Sequence, residues 1–247
     1  MLDSVSPCTC CGTASRCLAA SASPRQWDAL AGLIGQTRLL SAGEYLYRTG
    51  DRCRTLYMVR SGTFKTTLPG DARSDLVVGH HLPGDLLGLD VLSTDHYSAS
   101  AIALETAGVC AFAKDQLENL AAELPDFHRR LREAMSEEIA RAHQHCLVLS
   151  RRSAEQRLAG FLMDLSDRLE RRGFRTACLE LAFTRVDIAA YLGLAVETVC
   201  REFTRFQTLG WIAVRRRRVE LLDTSALRAL AGAESPVDGA SEAAAQR

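Results

Sequence analysis

The sequence predicts an α+β chain in which a double-sheet β-roll comes first, a long helix follows, and a winged helix-turn-helix closes the fold. Three observations carry this reading. Between residues 39 and 113, short strand-like runs are punctuated by Gly43, Gly50, Gly62, Gly70, Gly84 and Gly88, at the spacing of an all-β barrel or roll. From 125 to 150, apolar residues recur in alternating steps of four and three across an otherwise charged surface. From 184 to 212, a capping pattern, a glycine corner and a second amphipathic run spell two helices joined by a tight turn.

The first 23 residues hold Cys8, Cys10, Cys11 and Cys17 among Ser, Thr, Ala and Gly, a composition that builds no core of its own. Cys8, Cys11 and Cys17 make C-x2-C-x5-C, three thiolates able to wrap one inorganic centre if a fourth ligand comes from elsewhere. Spacing does not choose between zinc and iron-sulfur; structural zinc is the commoner case. Cys10 falls between two candidate ligands. Cys110, in a predicted strand, is an ordinary small buried residue when viewed alone and also the natural candidate for the fourth ligand. Cys53, Cys146 and Cys178 are isolated and read as packing residues.

Residues 24–124 form the roll domain, opened by a short amphipathic helix over 24–36 with Trp27, Leu30 and Ile34 on one side. His80 and His81 are adjacent, so a strand sends them to opposite faces and they do not grip one metal together. His96 falls in a predicted turn. Nothing here supplies the His-x-His spacing of a β-roll metalloenzyme, the rival class for such a chain.

The helix over 125–150 carries Leu131, Met135, Ile139, Ala142, Cys146 and Leu149 as a narrow seam. Packing on its own β-domain is one use for that seam; a parallel dimer contact is preferred, because a helix-turn-helix reads paired half-sites. The DNA-binding unit, 151–230, begins with an amphipathic helix over 155–169 and a strand, CLELAF. Thr184 and Asp187 cap the next helix, and Gly193 breaks it at the corner. In the second helix Val196, Val199, Phe203 and Phe206 form the buried stripe. Glu197, Thr198, Cys200, Arg201 and Arg205 occupy the opposite face, where a guanidinium takes guanine bidentately and a carboxylate accepts from cytosine. Two short strands, 211–214 and 219–222, flank Arg215, Arg216, Arg217 and Arg218, a tip suited to phosphates. The tail, 231–247, is predicted to be disordered.

Composition agrees. The 247 residues, 47% hydrophobic, suffice for two modest domains, and a net charge of zero excludes an indiscriminately basic nucleic-acid binder. Charge is segregated, since 151–230 holds 15 arginines against 10 acidic residues. No apolar run has the length of a membrane span, and the start lacks a signal-peptide pattern, so a cytoplasmic protein with reduced thiols is expected.

Roll, seam helix and winged helix-turn-helix, in that order, resemble the cAMP receptor protein/FNR superfamily of bacterial transcription regulators, and its oxygen-sensing FNR branch in particular. The carriers are C-x2-C-x5-C, ALETAGVC ending in Cys110, LSRRSAEQRLAGFL at 149–162 and TRVDIAAYLGLAVETVCREFTRFQTLG at 184–210. The resemblance implies a cyclic-nucleotide-binding-like roll, no enzymatic activity, and a [4Fe-4S] cluster on Cys8, Cys11, Cys17 and Cys110 in place of zinc. It implies a cluster-favoured homodimer on TTGAT-N4-ATCAA-like palindromes, released when oxygen dismantles the cluster. Sensing of another signal, through haem or zinc, is the alternative. Departures from the pattern are Cys200 where the branch has serine, Gly12 and Arg16 beside the cluster cysteines, and Ala142 at a seam position that is often acidic. The stretch GDLLGLDVLSTDHYSASA lacks the arginine that the cyclic-nucleotide branch uses for phosphate, which disfavours cAMP. The turn at 68–75 aligns loosely with a hairpin that contacts RNA polymerase.

Overall fold

The computed structural model describes residues 17–18, 37–70, 75–151, 153–174 and 176–232. Cys8, Cys10, Cys11, Gly12, Arg16, the helix expected over 24–36, the middle of the 68–75 turn and the tail beyond Gly232 lie outside the described residues. The chain divides into two compact units, Met1–Gln144 and His145–Arg247.

In the first unit eight strands form two antiparallel sheets. Strands β1 (Arg38–Leu40), β3 (Thr55–Ser61), β6 (Leu86–Leu87) and β8 (Ala107–Ala113) make one, ordered β1-β8-β3-β6. Strands β2 (Tyr45–Tyr47), β4 (Phe64–Leu68), β5 (Leu76–His81) and β7 (Ser100–Ala103) make the other, ordered β2-β7-β4-β5. Leu56, Val59, Phe64, Val109 and Phe112 fill the space between them and are at most 1% exposed. Burial of each such side chain contributes about 1.5–3 kcal/mol. Gly62 turns β3 into β4 at φ 74°, and a Cβ there would stand 2.6 Å from that of Ala107, so glycine is required twice over.

Helix α1 (Lys114–Glu123) starts where β8 stops and buries Leu117 and Leu120. The sequence reading left these residues inside the roll. No side chain caps the helix, and it ends at Leu124, before Pro125, whose ring disfavours helical geometry in the preceding residue. Helix α2 (Pro125–Arg151) opens on that proline, placed where its missing N–H costs nothing. Its first turns lie on the roll: Phe127 and Leu131 are buried, and Met135 packs at the edge of the same core. Leu131 is therefore a core residue of its own unit and is unavailable to a partner helix, which corrects the seam at its N-terminal end. Ile139 is 55% exposed, and Ala142 and Cys146 are exposed too. Cys146 is thus no packing residue within the chain, whereas Cys53, 1% exposed, is one.

The second unit contains α3 (Ala154–Glu170), β9 (Cys178–Glu180), α4 (Arg185–Leu192), α5 (Val196–Thr208), β10 (Ile212–Arg215), β11 (Arg218–Leu221) and α6 (Thr224–Ala231), with a sheet ordered β10-β11-β9. Leu158, Leu162, Leu179, Ile188, Phe206 and Leu227 make its core. Helix α6, not foreseen from the sequence, is capped by Asp223, which accepts from Ala226 N at 2.9 Å. It is tied to α3 by a two-point Arg228–Asp167 pair at 3.0 and 2.5 Å.

Candidate nucleic-acid interface and cysteine site

Helix α4 begins as its sequence dictates. Thr184 Oγ1 accepts from Asp187 N at 3.1 Å, and Asp187 Oδ2 accepts from Thr184 N at 2.9 Å, so two orphan amides are satisfied reciprocally. Gly193 ends the helix at φ 61°, with Leu149 and Arg157 close on the side where a Cβ would project. Arg157 gathers the carbonyl ends of two helices. Its guanidinium donates to Leu149 O of α2 at 2.8 Å and to Leu192 O at the end of α4 at 2.9 Å. A cation at two helix C-termini is electrostatically favoured as well as hydrogen-bonded. His145 adds a ring stacked on Tyr191, with centroids 4.0 Å apart, and a 2.7 Å contact from Nε2 to Tyr191 O.

Helix α5 presents the predicted stripe inward: Val199, Phe203 and Phe206 are buried and Val196 half-buried. Glu197, Cys200, Arg201 and Arg205 are exposed and Thr198 is half-buried, so the structure brings the candidate readers onto one open face. Arg201 donates to Thr198 Oγ1 at 3.3 Å. Arg205 differs from the rest, because it pairs with Glu155 of α3 and stands 3.6 Å from Glu202. Two neighbours of this face have no local signal in the sequence. Glu202 is buried within the helix's apolar side, and Arg185 lies over the Phe203 ring at 3.3 Å, where burial lowers its pKa. Only the long-range fold places them there.

The wing is two residues tighter than its sequence suggested, one on each side. Arg215 pairs with Arg218 across the ladder, leaving Arg216 and Arg217 as a two-residue turn, and all four are exposed. Arg216 has φ 56°, a left-handed conformation that costs a residue with a Cβ about 1–2 kcal/mol. Like charges held opposite each other add to the cost. A polyanion set against the tip would relieve the second of these.

In the first unit, Cys17 and Cys110 are 93 positions apart, yet both are half-buried against the same roll core. Cys110 sits on β8 opposite Met58 of β3. Both thiols border the core of this unit, and Cys8 and Cys11 lie beyond the described residues. Among the described residues no group of three or more His, Cys, Asp or Glu is assembled for a metal ion. His80 and His81 are both buried on β5, and His81 Nε2 meets Thr66 Oγ1 at 3.2 Å.

Three tyrosines gather in the roll, two buried and Tyr57 half-buried. Tyr97 stacks on Tyr47 with centroids 3.8 Å apart, Tyr57 follows at 6.1 Å, and Tyr97 Oη donates to Thr55 O at 2.7 Å. Burial pushes the Tyr47 and Tyr97 hydroxyls, and the Cys53 thiol, toward their neutral forms.

A β-roll, a long helix and a winged helix-turn-helix with an exposed arginine tip define a DNA-binding transcription regulator. Comparison with known proteins agrees: residues 37–123 match the cyclic nucleotide-binding domain family and residues 156–230 the Crp-like helix-turn-helix domain. The chain is 42% identical to the transcriptional activator protein Anr of Pseudomonas aeruginosa, over 92% of this chain and 93% of that one. It is 35% identical to the fumarate and nitrate reduction regulatory protein of Escherichia coli, over 91% and 90%. The solved structure of FixK2 from Bradyrhizobium japonicum superposes with a TM-score of 0.73 at 28% identity, covering 81% of this chain and 98% of that one. The chain belongs to the CRP/FNR family of transcription regulators, and its relatives are regulators rather than enzymes. Among the described residues no helix is long and apolar enough to cross a membrane.

Proposed function

We propose that the chain is an oxygen-responsive, cytoplasmic transcription activator of the FNR kind, holding a [4Fe-4S] cluster on Cys8, Cys11, Cys17 and Cys110. What supports this reading is that Cys17 and Cys110 both border the core of the roll unit, in a chain with relatives named for fumarate and nitrate reduction. When bound, the cluster supplies an oxygen-labile tie between the N-terminal segment and β8. The chain's own residues do the rest. Ile139, Ala142 and Cys146 on the exposed flank of α2 form the homodimer seam, and Glu197, Thr198, Cys200 and Arg201 read TTGAT-N4-ATCAA-like palindromes in double-stranded DNA. Arg215, Arg216 and Arg217 neutralise phosphates, and Arg205 joins them when it leaves Glu155. RNA polymerase is the partner at the promoter. The stretch GDLLGLDVLSTDHYSASA, which has no arginine for a phosphate, supports a roll that takes no cAMP.

The test is purification of the full chain without air, followed by an absorption spectrum and iron and sulfide assays. Near four irons and four sulfides per chain, with operator affinity lost on aeration, are the expected results. A colourless, iron-free protein that binds the operator equally in air refutes the proposal; bound zinc or haem would reassign the signal.

A further inference from the structure

The strand bearing Cys110 is connected to the dimer seam by a short series of named contacts, all inside the first unit. Cys110 lies opposite Met58, and the next residue of β3, Val59, is clasped by the β5–β6 turn. Val59 N donates to Asp85 O at 2.9 Å, and Gly84 N donates to Val59 O at 2.8 Å. The Asp85 carboxylate, whose side chain is 2% exposed, accepts from Leu82 N at 2.7 Å and lies 3.8 Å from Arg141 of α2. Arg141 stands between Ile139 and Ala142 of the seam. On its own helix it holds Glu138, through Nε at 3.1 Å and Nη2 at 2.5 Å, and approaches Glu137 at 3.7 Å.

A carboxylate so thoroughly withdrawn from water is stabilised by a cation at that distance. The first turns of α2 are fixed to the roll by the buried Phe127 and Leu131. Further along the helix the Asp85–Arg141 ion pair is a polar contact between α2 and the β5–β6 turn, and separating it leaves the buried carboxylate without that charge. The exposed stretch of α2 thus meets a turn that is itself hydrogen-bonded to the strand residue next to the partner of Cys110.

We infer that the Asp85–Arg141 pair is the link through which the state of strand β8 biases the seam of α2, with Arg141 as a positioning residue. The inference rests on the proposed tie at Cys110. It requires that Arg141 be dispensable for holding iron and for folding, yet needed for the difference between the two states.

The experiment uses the full-length protein purified without air, as wild type, Arg141→Gln, Arg141→Lys and Asp85→Asn. Iron and sulfide content, the rate of bleaching in air, the dimer fraction by sedimentation, and operator affinity before and after aeration are measured for each. Arg141→Gln and Asp85→Asn are expected to keep wild-type iron, sulfide and bleaching. Their ratio of anaerobic to aerated affinity is expected to fall at least about fivefold, the lower end of ordinary coupling between sites. Arg141→Lys, which keeps one charge contact, recovers part of the ratio. A ratio within about twofold of wild type in Arg141→Gln, with iron intact, overturns the link. Loss of iron in that variant also overturns it, because the residue would then serve assembly rather than transmission. Should Asp85→Asn fail to fold, Arg141→Gln alone decides. An iron-free wild type refutes the proposed function itself and takes the link with it, whereas an iron-replete, oxygen-responsive wild type with an equally responsive Arg141→Gln refutes the link alone.

Discussion

Replacing Arg216 by glycine should make the protein more stable and a poorer DNA binder at once. The left-handed backbone at φ 56° costs a side-chain-bearing residue about 1–2 kcal/mol, which glycine does not incur. Glycine's greater freedom in the unfolded chain returns about 0.4–1 kcal/mol of that. The net gain is about 0.5–1 kcal/mol, or about 2–6 °C in the melting of a unit near 100 residues. On DNA, each phosphate contact contributes about 0.9 to the slope of log affinity against log salt, so removing one per subunit from a dimer flattens the slope by about 1.8. Thermal denaturation followed by circular dichroism gives the first quantity, and operator titrations at several salt concentrations give the second. A fall in melting temperature would show that the tip conformation carries no strain. An unchanged salt slope would show that Arg216 does not reach phosphate.

Three further outcomes are expected. Thr184→Ala removes one side of the cap on α4 and should cost about 1–2 kcal/mol in denaturant unfolding. Glu155→Gln releases Arg205 from its partner on α3; operator binding should tighten and the salt slope steepen by about 1 per subunit, with little effect on stability, since exposed pairs contribute under about 1 kcal/mol. Burial pushes the Glu138 carboxyl up, but His81 and Arg141 outweigh it and hold its pKa below the ordinary value of 4.5. Its folded-state pKa is depressed, so the stability it contributes is present above that value and lost as pH falls through the lowered one. Glu138→Gln should therefore be less stable than wild type at neutral pH, with the gap closing below about pH 4 in urea titrations.

Periodicity and local chemistry carried much of this fold. The Thr184–Asp187 cap, the Gly193 corner and the Val199–Phe203–Phe206 stripe are determined within one or two turns of chain, and each forms as its residues require. Helix α1 was missed because no cap or glycine separates it from β8, and KDQLENLAAE is too short for its period to outvote the strand before it. Helix α6 did have a signal, Asp223 ahead of an Ala- and Leu-rich run with Gly232 behind it. The heptad steps in α2 gave the right period for the wrong neighbour at Leu131, since an apolar stripe looks the same whether a roll or a second helix covers it. Nothing local announces that Arg205 meets Glu155 or that Arg141 meets Asp85, which are 50 and 56 residues apart in sequence. Such pairs exist only once tertiary structure brings them together.

The tyrosines inside the roll bear on how one architecture serves different signals. Tyr47 and Tyr97 bury their rings against each other, and the half-buried Tyr57 stacks beside Tyr47. Packing of this kind is in place in the roll without any guest. Emptying it again, for example by Tyr97→Ala, would open a cavity, and the first effect of such a vacancy is lost stability rather than a new sense of taste.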